Sequence, residues 1–317
     1  MSLFMREFAC DRPSGGGRGV TPNIVAATVV CSGGPRPLCQ ALSMTIAANT
    51  DLLSIARRVA LEAGALAARR RAEGVEVAAT KSSIVDVVTL ADREVEAFVR
   101  AAISDVRPDD GFLGEESTGT TGGSGLTWIV DPIDGTVNYL YGIPQYAVSI
   151  AVVEGGTDPA EWNALAGCVV NPANGEVFTA AQGGGAYLGS QQLQVNSGVS
   201  LEQTLLSTGF SYSAETRSRQ GQVLAGILGR VRDIRRAGSA SLDLCWVAAG
   251  RLDAYAERGL NPWDHAAGAL VVREAGGQVG GFDGDAESIR FLLAADATLA
   301  GELEPILRDL YASAGLI

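Results

Sequence analysis

The 317-residue sequence contains a single histidine, His265, and no pair of cysteines at CxxC spacing. One imidazole makes Ser-His, Cys-His and histidine-zinc chemistry poor candidates, and the missing CxxC pair does the same for thiolate zinc. The five cysteines are too scattered for a disulfide framework. Cys10, Cys31 and Cys39 lie in the N-terminal stretch, whereas Cys168 and Cys245 sit in apolar contexts that read as core. That usage suits a reducing cytoplasm. No apolar run reaches the roughly 18 residues of a membrane span. Positive charge is also scarce: 24 Lys and Arg against 36 Asp and Glu leave a formal net charge of −12. The deficit argues against a nucleic-acid partner or an anionic-membrane surface, both of which need basic patches. An anionic substrate would therefore need its positive potential from bound metal ions and helix N-termini.

What the chain does have is 47% hydrophobic residues, enough for a well-buried globular core. An α/β chain of this length can share one continuous core. Residues 1–46 differ from the rest. Two turn-rich segments, from Ser14 to Gly19 and from Cys31 to Pro37, have little to bury, so the stretch reads as a disordered extension, with Met44 as an alternative start. The apolar run Ile24 to Val30 follows Arg6, Arg12 and Arg18, but it is short for a secretory signal and no small-x-small cleavage site follows. Residues 47–317 then form the folded domain, with an α+β half over 47–180 and an α/β half over 181–317.

Helical spacing starts at Asp51, with Leu52, Ile55, Ala56, Val59, Ala60 and Ala63 on one face, and ends near Gly74. A strand at Val75 to Ala79 leads into the polar loop Thr80 to Ser83, and Asp86 is expected to open a second amphipathic helix reaching Val106. Phe112 to Glu116 reads as a strand ending in two acids. Further strands are expected at Ala147–Val153, Leu165–Val170, Glu176–Ala180, Gly185–Leu188, Leu205–Thr208, Arg232–Arg235, Asp253–Glu257 and Ile289–Leu293. Helices are expected at Ala214–Leu228, Ser239–Ala249, Trp263–Ala275 and Asp296–Ala312. The order is mixed and has no internal repeat, which fits layers of helix and sheet better than a strict βαβ array.

The chain is organised around Trp128 to Tyr139. Trp128, Ile129 and Val130 read as a buried strand, and Pro132, lacking an N–H, is expected to force a turn. Asp131 and Asp134 leave that turn on either side of Ile133. Gly135 and Thr136 read as the first turn of a helix, whose free N–H groups form an anion site. Hard carboxylate oxygens beside such a nest suit a divalent cation holding a phosphate, although Asp-Pro and Asp-Gly also form ordinary turns. With Glu115 after one strand, Asp131 and Asp134 after the next and Asp264 at a helix start, three acidic sites stand at element ends. Packed together they repel, and Mg²⁺ would turn the grouping into a two-metal site. The alternative is that each is a surface acid or, for Asp264, a helix cap.

Several motifs agree in order. Glu115-Glu116, the run Asp131 to Thr136 with Asn138, and Trp263-Asp264 with Glu274 to Gly277 resemble the signature motifs of the inositol monophosphatase family. Lys81 with Asp86, and Thr89 with Asp92, add a further match, and Gly238 to Cys245 and Leu252 to Tyr255 resemble its bacterial members. The resemblance runs from about residue 50 to the C-terminus. It implies a layered α-β-α-β-α fold and a Mg²⁺-dependent, lithium-sensitive phosphomonoesterase, usually a cytoplasmic homodimer. Its substrate would be a sugar or polyol phosphate, with myo-inositol monophosphate first. Glu115, Asp131 and the Ile133 carbonyl would hold one Mg²⁺, Asp131, Asp134 and Asp264 a second, and a third would lie near Glu115. Thr136 with Asp92 would position and deprotonate the attacking water, and the N–H groups of Gly135 and Thr136 would bind phosphate. Asp134, Gly238, Ala240 (through its backbone), Glu257 and Asp264 would line the substrate site, with Lys81 contributing from its loop. Glu257, seven residues before Asp264, carries the choice of a polyol, because a carboxylate accepts from vicinal hydroxyls and repels a second phosphate. Histidinol phosphate, fructose 1,6-bisphosphate and 3′-phosphoadenosine 5′-phosphate are the alternatives within the same chemistry; a regulatory protein-binding module of the same fold is the alternative outside it. The sequence departs from the family at Ile84, where many members have proline, and at Asn261-Pro262.

Overall fold

The computed structural model describes residues 36–75, 77–80 and 87–317. Lys81, Asp86 and residues 1–35 of the N-terminal extension lie outside the described residues.

The first helix, α1 (Arg36–Glu73), begins well before the expected start at Asp51. The sequence from Leu38 to Thr50 includes Ala, Leu, Gln and Met, all good helix formers, and has no further proline, so nothing stops the helix upstream. A short antiparallel hairpin, β1 (Val77–Thr80) and β2 (Val87–Thr89), precedes α2 (Leu90–Ser104). The helix expected from Asp86 thus starts four residues later. Val87, Val88 and Thr89 are all β-branched and pair as a strand, and Thr89 then caps α2.

Seven strands form the larger sheet: β3 (Gly111–Gly114), β4 (Leu126–Asp134), β5 (Ala147–Glu154), β6 (Asn163–Asn171), β7 (Glu176–Ala181), β8 (Gly185–Leu188) and β9 (Gln191–Gln192). They neighbour one another in chain order. Only β3 and β4 are parallel; the other pairs are antiparallel. The short helix α3 (Thr136–Tyr141) lies between β4 and β5. The smaller sheet has β10 (Leu205–Thr208), β11 (Asp233–Arg235), β12 (Ala254–Glu257), β13 (Gln278–Gly280) and β14 (Leu292–Ala295), in the order β11-β10-β12-β14-β13. The remaining helices are α4 (Ala214–Ile227), α5 (Ala240–Ala248), α6 (Pro262–Glu274) and α7 (Ala297–Ser313).

Three apolar clusters arrange these elements in layers. Ala56, Val59 and Ala63 of α1 and Val95 and Val99 of α2 pack against Trp128, Val130 and Ile150 on one face of the larger sheet. Its other face, with Ile129, Ala151 and Val169, meets Leu242 and Leu244 of α5 and Ala267 and Val271 of α6, which also cover Tyr255 and Leu292 of the smaller sheet. The far face of the smaller sheet, with Leu206, Ala256 and Leu293, is closed by Val223 of α4 and Leu303 and Leu307 of α7. The fold is therefore α-β-α-β-α, held by apolar burial on both faces of each sheet. Among the described residues no helix is long and apolar enough to cross a membrane.

One local expectation is corrected. Strand β4 does not stop at Pro132 but runs on to Asp134, with the register against β5 slipping between Asp131 and Asp134. Pro132 is tolerated because β3 ends opposite Val130, so on that side β4 is already an edge. The bulge takes up the missing N–H and re-aims the two aspartates.

Candidate active site

The site lies where the ends of β3 and β4 meet the N-termini of α3, α5 and α6. Gly114 closes the β3 ladder opposite Val130, and the Glu115 N–H still donates to the Val130 carbonyl at 3.3 Å. This fixes the Glu115 backbone beside Asp131. Asp131 is buried, and one of its oxygens accepts the Ile133 N–H at 3.0 Å. Burial raises its pKa well above the usual carboxylate range, and the neighbouring charges of Glu115, Asp134 and Asp264 raise it further. Asp264 shows the same direction, from burial and then from Glu115 and Asp134. It stands in the first turn of α6, where it accepts the Asn261 N–H at 2.6 Å. It is thus a helix cap and a member of the acidic group at once.

Asp134 is held differently. Its Oδ2 accepts the Ser239 hydroxyl at 2.7 Å, the Ser241 N–H at 2.7 Å and the Ser241 hydroxyl at 2.5 Å. Its Oδ1 accepts the Ala240 N–H at 3.2 Å. Burial raises the Asp134 pKa, and these bonds oppose the rise. The backbone of Ala240, expected to line the substrate site, thus has its N–H turned on Asp134.

Gly135 caps α3 at φ +94°, and an added Cβ would stand 3.0 Å from the Gly238 carbonyl. Gly238, at φ +92°, is equally crowded, by Arg236 and Asn138. Two glycines back to back let the segment before α5 rest on the start of α3. Asn138 fastens that contact, its amide donating to Ala237 at 2.8 Å and to Gln145 at 2.7 Å.

Thr136 Oγ1 lies 3.1 Å from both Asp92 Oδ1 and the Ile133 carbonyl. The other Asp92 oxygen accepts the Thr89 N–H at 2.8 Å and the Thr89 hydroxyl. Burial is the main cause that pushes the Asp92 pKa up, to about 6. At the opposite rim, Glu257 ends β12, and its Oε2 accepts the Tyr255 hydroxyl at 2.6 Å. Its carboxylate covers Gly209, where a Cβ would come within 1.9 Å. Burial pushes the Glu257 pKa up to about 7.

Lys81 lies outside the described residues; the other expected site residues stand at the ends of β3, β4 and β12 and at or just before the first turns of α2, α3, α5 and α6. Four supporting residues had not been expected. Glu96, buried on α2, accepts the Glu116 N–H at 2.7 Å and the Ser117 hydroxyl, so it anchors the loop that carries Glu115. Its place in the apolar stripe with Val95 and Val99 was the available signal. Ser241 and Tyr255 lie within the stretches Gly238 to Cys245 and Leu252 to Tyr255 that resemble the bacterial members, but no role had been given to either. Asp243, buried in α5, shows a pKa raised by burial, with a bond to Ser207 opposing the rise. His265 is buried and neutral, with its pKa pushed down to about 4 by burial, and it takes no part in the group.

The donors gathered here are all oxygens: the carboxylates of Glu115, Asp131, Asp134 and Asp264 and the Ile133 carbonyl. Such a set suits a hard divalent cation, which would offset the mutual repulsion of the acids. Among the described residues no three acidic, histidine or cysteine side chains are placed so that together they could hold a metal ion. The fit therefore rests on donor chemistry and on a shared electrostatic field.

Known proteins resemble this chain over most of its length. Residues 48–314 match the inositol monophosphatase family. The inositol-1-monophosphatase of Mycobacterium bovis is 45% identical over 246 residues, covering 72% of this chain and 83% of that protein. The Nus factor SuhB of Pseudomonas aeruginosa is 40% identical over 243 residues, covering 74% and 87%. Among solved structures, the extragenic suppressor protein suhB of Bartonella henselae superposes with a TM-score of 0.75 at 36% identity, covering 81% of this chain and 98% of that one.

Proposed function

This chain belongs to the inositol monophosphatase family, and from that premise we propose that it is a Mg²⁺-dependent phosphomonoesterase hydrolysing myo-inositol monophosphate to inositol and phosphate. The observation that carries the proposal is the set of mutually repelling acids, Glu115, Asp131, Asp134 and Asp264, beside the Thr136–Asp92 pair.

Glu115, Asp131 and the Ile133 carbonyl would hold one Mg²⁺, Asp131, Asp134 and Asp264 a second, and a weaker third would sit near Glu115. Bound Mg²⁺ would lower the pKa of a water molecule and neutralise charge on the phosphate and the leaving oxygen. The chain's own residues do the rest. Thr136 orients the water, and Asp92, ionised above about pH 6, takes up its proton through the Thr136 hydroxyl. The N–H groups of Gly135 and Thr136 bind the phosphate oxygens. Glu257, held by Tyr255, accepts from the polyol hydroxyls.

Substrates with a second phosphate would need cations beyond the metal site, and two of the three arginines near the rim are already engaged. Arg235 is paired with Asp233 at 2.6 Å, and Arg258 donates to the Leu316 carbonyl at 3.1 Å, which leaves Arg236 over Gly238. Histidinol phosphate is the remaining alternative substrate. The reading also carries a cytoplasmic, lithium-sensitive homodimer that acts on neither nucleic acid nor membrane.

A second reading is a regulatory protein-binding module, motivated by the relative named Nus factor SuhB. Phosphate release from inositol 1-phosphate, fructose 1,6-bisphosphate and histidinol phosphate, with and without Mg²⁺, separates these readings. Mg²⁺-dependent turnover favouring inositol 1-phosphate and abolished in Asp131→Asn supports the first. No turnover on any of the three, in folded protein that binds Mg²⁺, favours the second. A partner interaction that survives Asp131→Ala and Asp134→Ala would be independent of hydrolysis.

A further inference from the structure

Asp134 ties two distant parts of the chain together. It ends β4, yet all four of its hydrogen bonds come from the first turn of α5, more than a hundred residues later. Three of the donors converge on one oxygen. A carboxylate oxygen has two in-plane lone pairs, so Oδ2 with donors at 2.7, 2.7 and 2.5 Å has no direction left for a cation. Only Oδ1, with a single longer bond of 3.2 Å, remains to serve as a ligand.

We propose that the Ser241 hydroxyl is a positioning residue that restrains Asp134 as a cation ligand, holding it to a weaker grip than its charge allows. The proposal rests on the reading of Asp134 as a ligand given above. Ser241 is fully buried, and its hydroxyl points at Asp134. The orientation of Asp134 does not depend on that hydroxyl, because the Ser239 hydroxyl and the N–H groups of Ala240 and Ser241 would still hold it. What the extra O–H does is add a third donor to Oδ2 and withdraw charge from the carboxylate, as charge-assisted bonds to a carboxylate do. Outer contacts to a metal ligand usually strengthen binding by fixing its geometry. Here the geometry is already fixed three times over, so the charge effect wins.

The test uses Mn²⁺ as the probe and counts free ion by electron paramagnetic resonance on the full chain. Asp134→Asn first identifies which class of Mn²⁺ sites depends on this residue. In Ser241→Ala that class is expected to bind about three- to tenfold more tightly at unchanged stoichiometry, a fraction of the worth of one charged hydrogen bond. Ser241→Cys keeps the volume but donates poorly, and it should tighten binding in the same way; it carries the test alone if the alanine variant does not fold. Unchanged or weaker binding in the variants overturns the proposal. Tightening in Ser241→Ala but not in Ser241→Cys also overturns it, because the void would then be the cause. If the unmodified protein binds no Mn²⁺, or Asp134→Asn binds as it does, the ligand reading of Asp134 fails as well, and that result is distinct from the others.

Discussion

Thr136 Oγ1 stands 3.1 Å from Asp92 Oδ1, joining the start of α3 to the first turn of α2 across 44 residues. The same Asp92 is the third helical residue of α2 and closes its capping box with Thr89. One carboxylate therefore secures a helix with one oxygen and meets the Thr136 hydroxyl with the other. Asp92→Asn is expected to lower kcat by roughly 10²–10⁴, and Thr136→Val should also reduce it. The rate should fall in the unmodified enzyme as pH drops through about 6, where Asp92 takes up a proton. Steady-state rates from pH 5 to pH 9 check both statements. A kcat unchanged in Asp92→Asn would remove Asp92 from the mechanism.

The Tyr255–Glu257 bond makes a separate, substrate-dependent prediction. Tyr255→Phe leaves the Glu257 carboxylate without its 2.6 Å donor and free to turn. KM for inositol 1-phosphate should rise about three- to tenfold, the worth of one hydrogen bond to a charged group at the low end. KM for p-nitrophenyl phosphate, which has no vicinal hydroxyls, should not change. Equal losses on both substrates would show that Tyr255 acts on the fold and not on polyol recognition.

Glu257 also links folding to pH. Its pKa lies at about 7 in the folded protein against an ordinary 4.5, chiefly through burial. The folded state therefore holds the proton more tightly than the unfolded state. This contribution to stability is fully present below about pH 4.5 and is lost as pH rises through 7. In chelator-treated protein, Glu257→Gln should gain stability relative to the unmodified chain over that window, by up to about 3 kcal/mol. Urea unfolding at pH 4.5 and pH 7.5 measures the gap. A gap that is the same at both values contradicts the assignment.

Cys168 and Cys245 are both buried, and burial drives both thiols up, Cys168 to about 12. The thiolate is the reactive form, so neither should react with iodoacetamide in the native protein. Mass-spectrometric mapping should find both unlabelled at pH 8 and fully labelled in guanidinium. Native labelling of Cys168 within minutes would mean that the α1 side of the larger sheet opens far more often than its packing implies.

Much of this was legible along the chain. The period of Ala56, Val59 and Ala63 marks a helix face, and the run Trp128 to Val130 marks a buried strand, because apolar side chains must alternate with the period of the element that buries them. The acids at element ends were legible too, since Glu115, Asp131, Asp134 and Asp264 each follow or open a recognisable segment. Element edges were less so. The start of α1 at Arg36 has no capping signal to mark it, and the short strand β2 depends on pairing with β1, which overrides local propensity.

The sequence by itself determined which residues carry charge, which faces are apolar and in what order the motifs come. Only the tertiary structure decided how the acids are used. The bulge at Pro132, permitted because β3 ends opposite Val130, leaves Asp131 buried within the electrostatic reach of Glu115 and Asp264. The first turn of α5 captures Asp134 from more than a hundred residues away, and no local spacing encodes such a bond. Hydrogen bonds and electrostatic fields act through distance in space, and for these residues that distance exists only once the two sheets are packed on either side of α5 and α6.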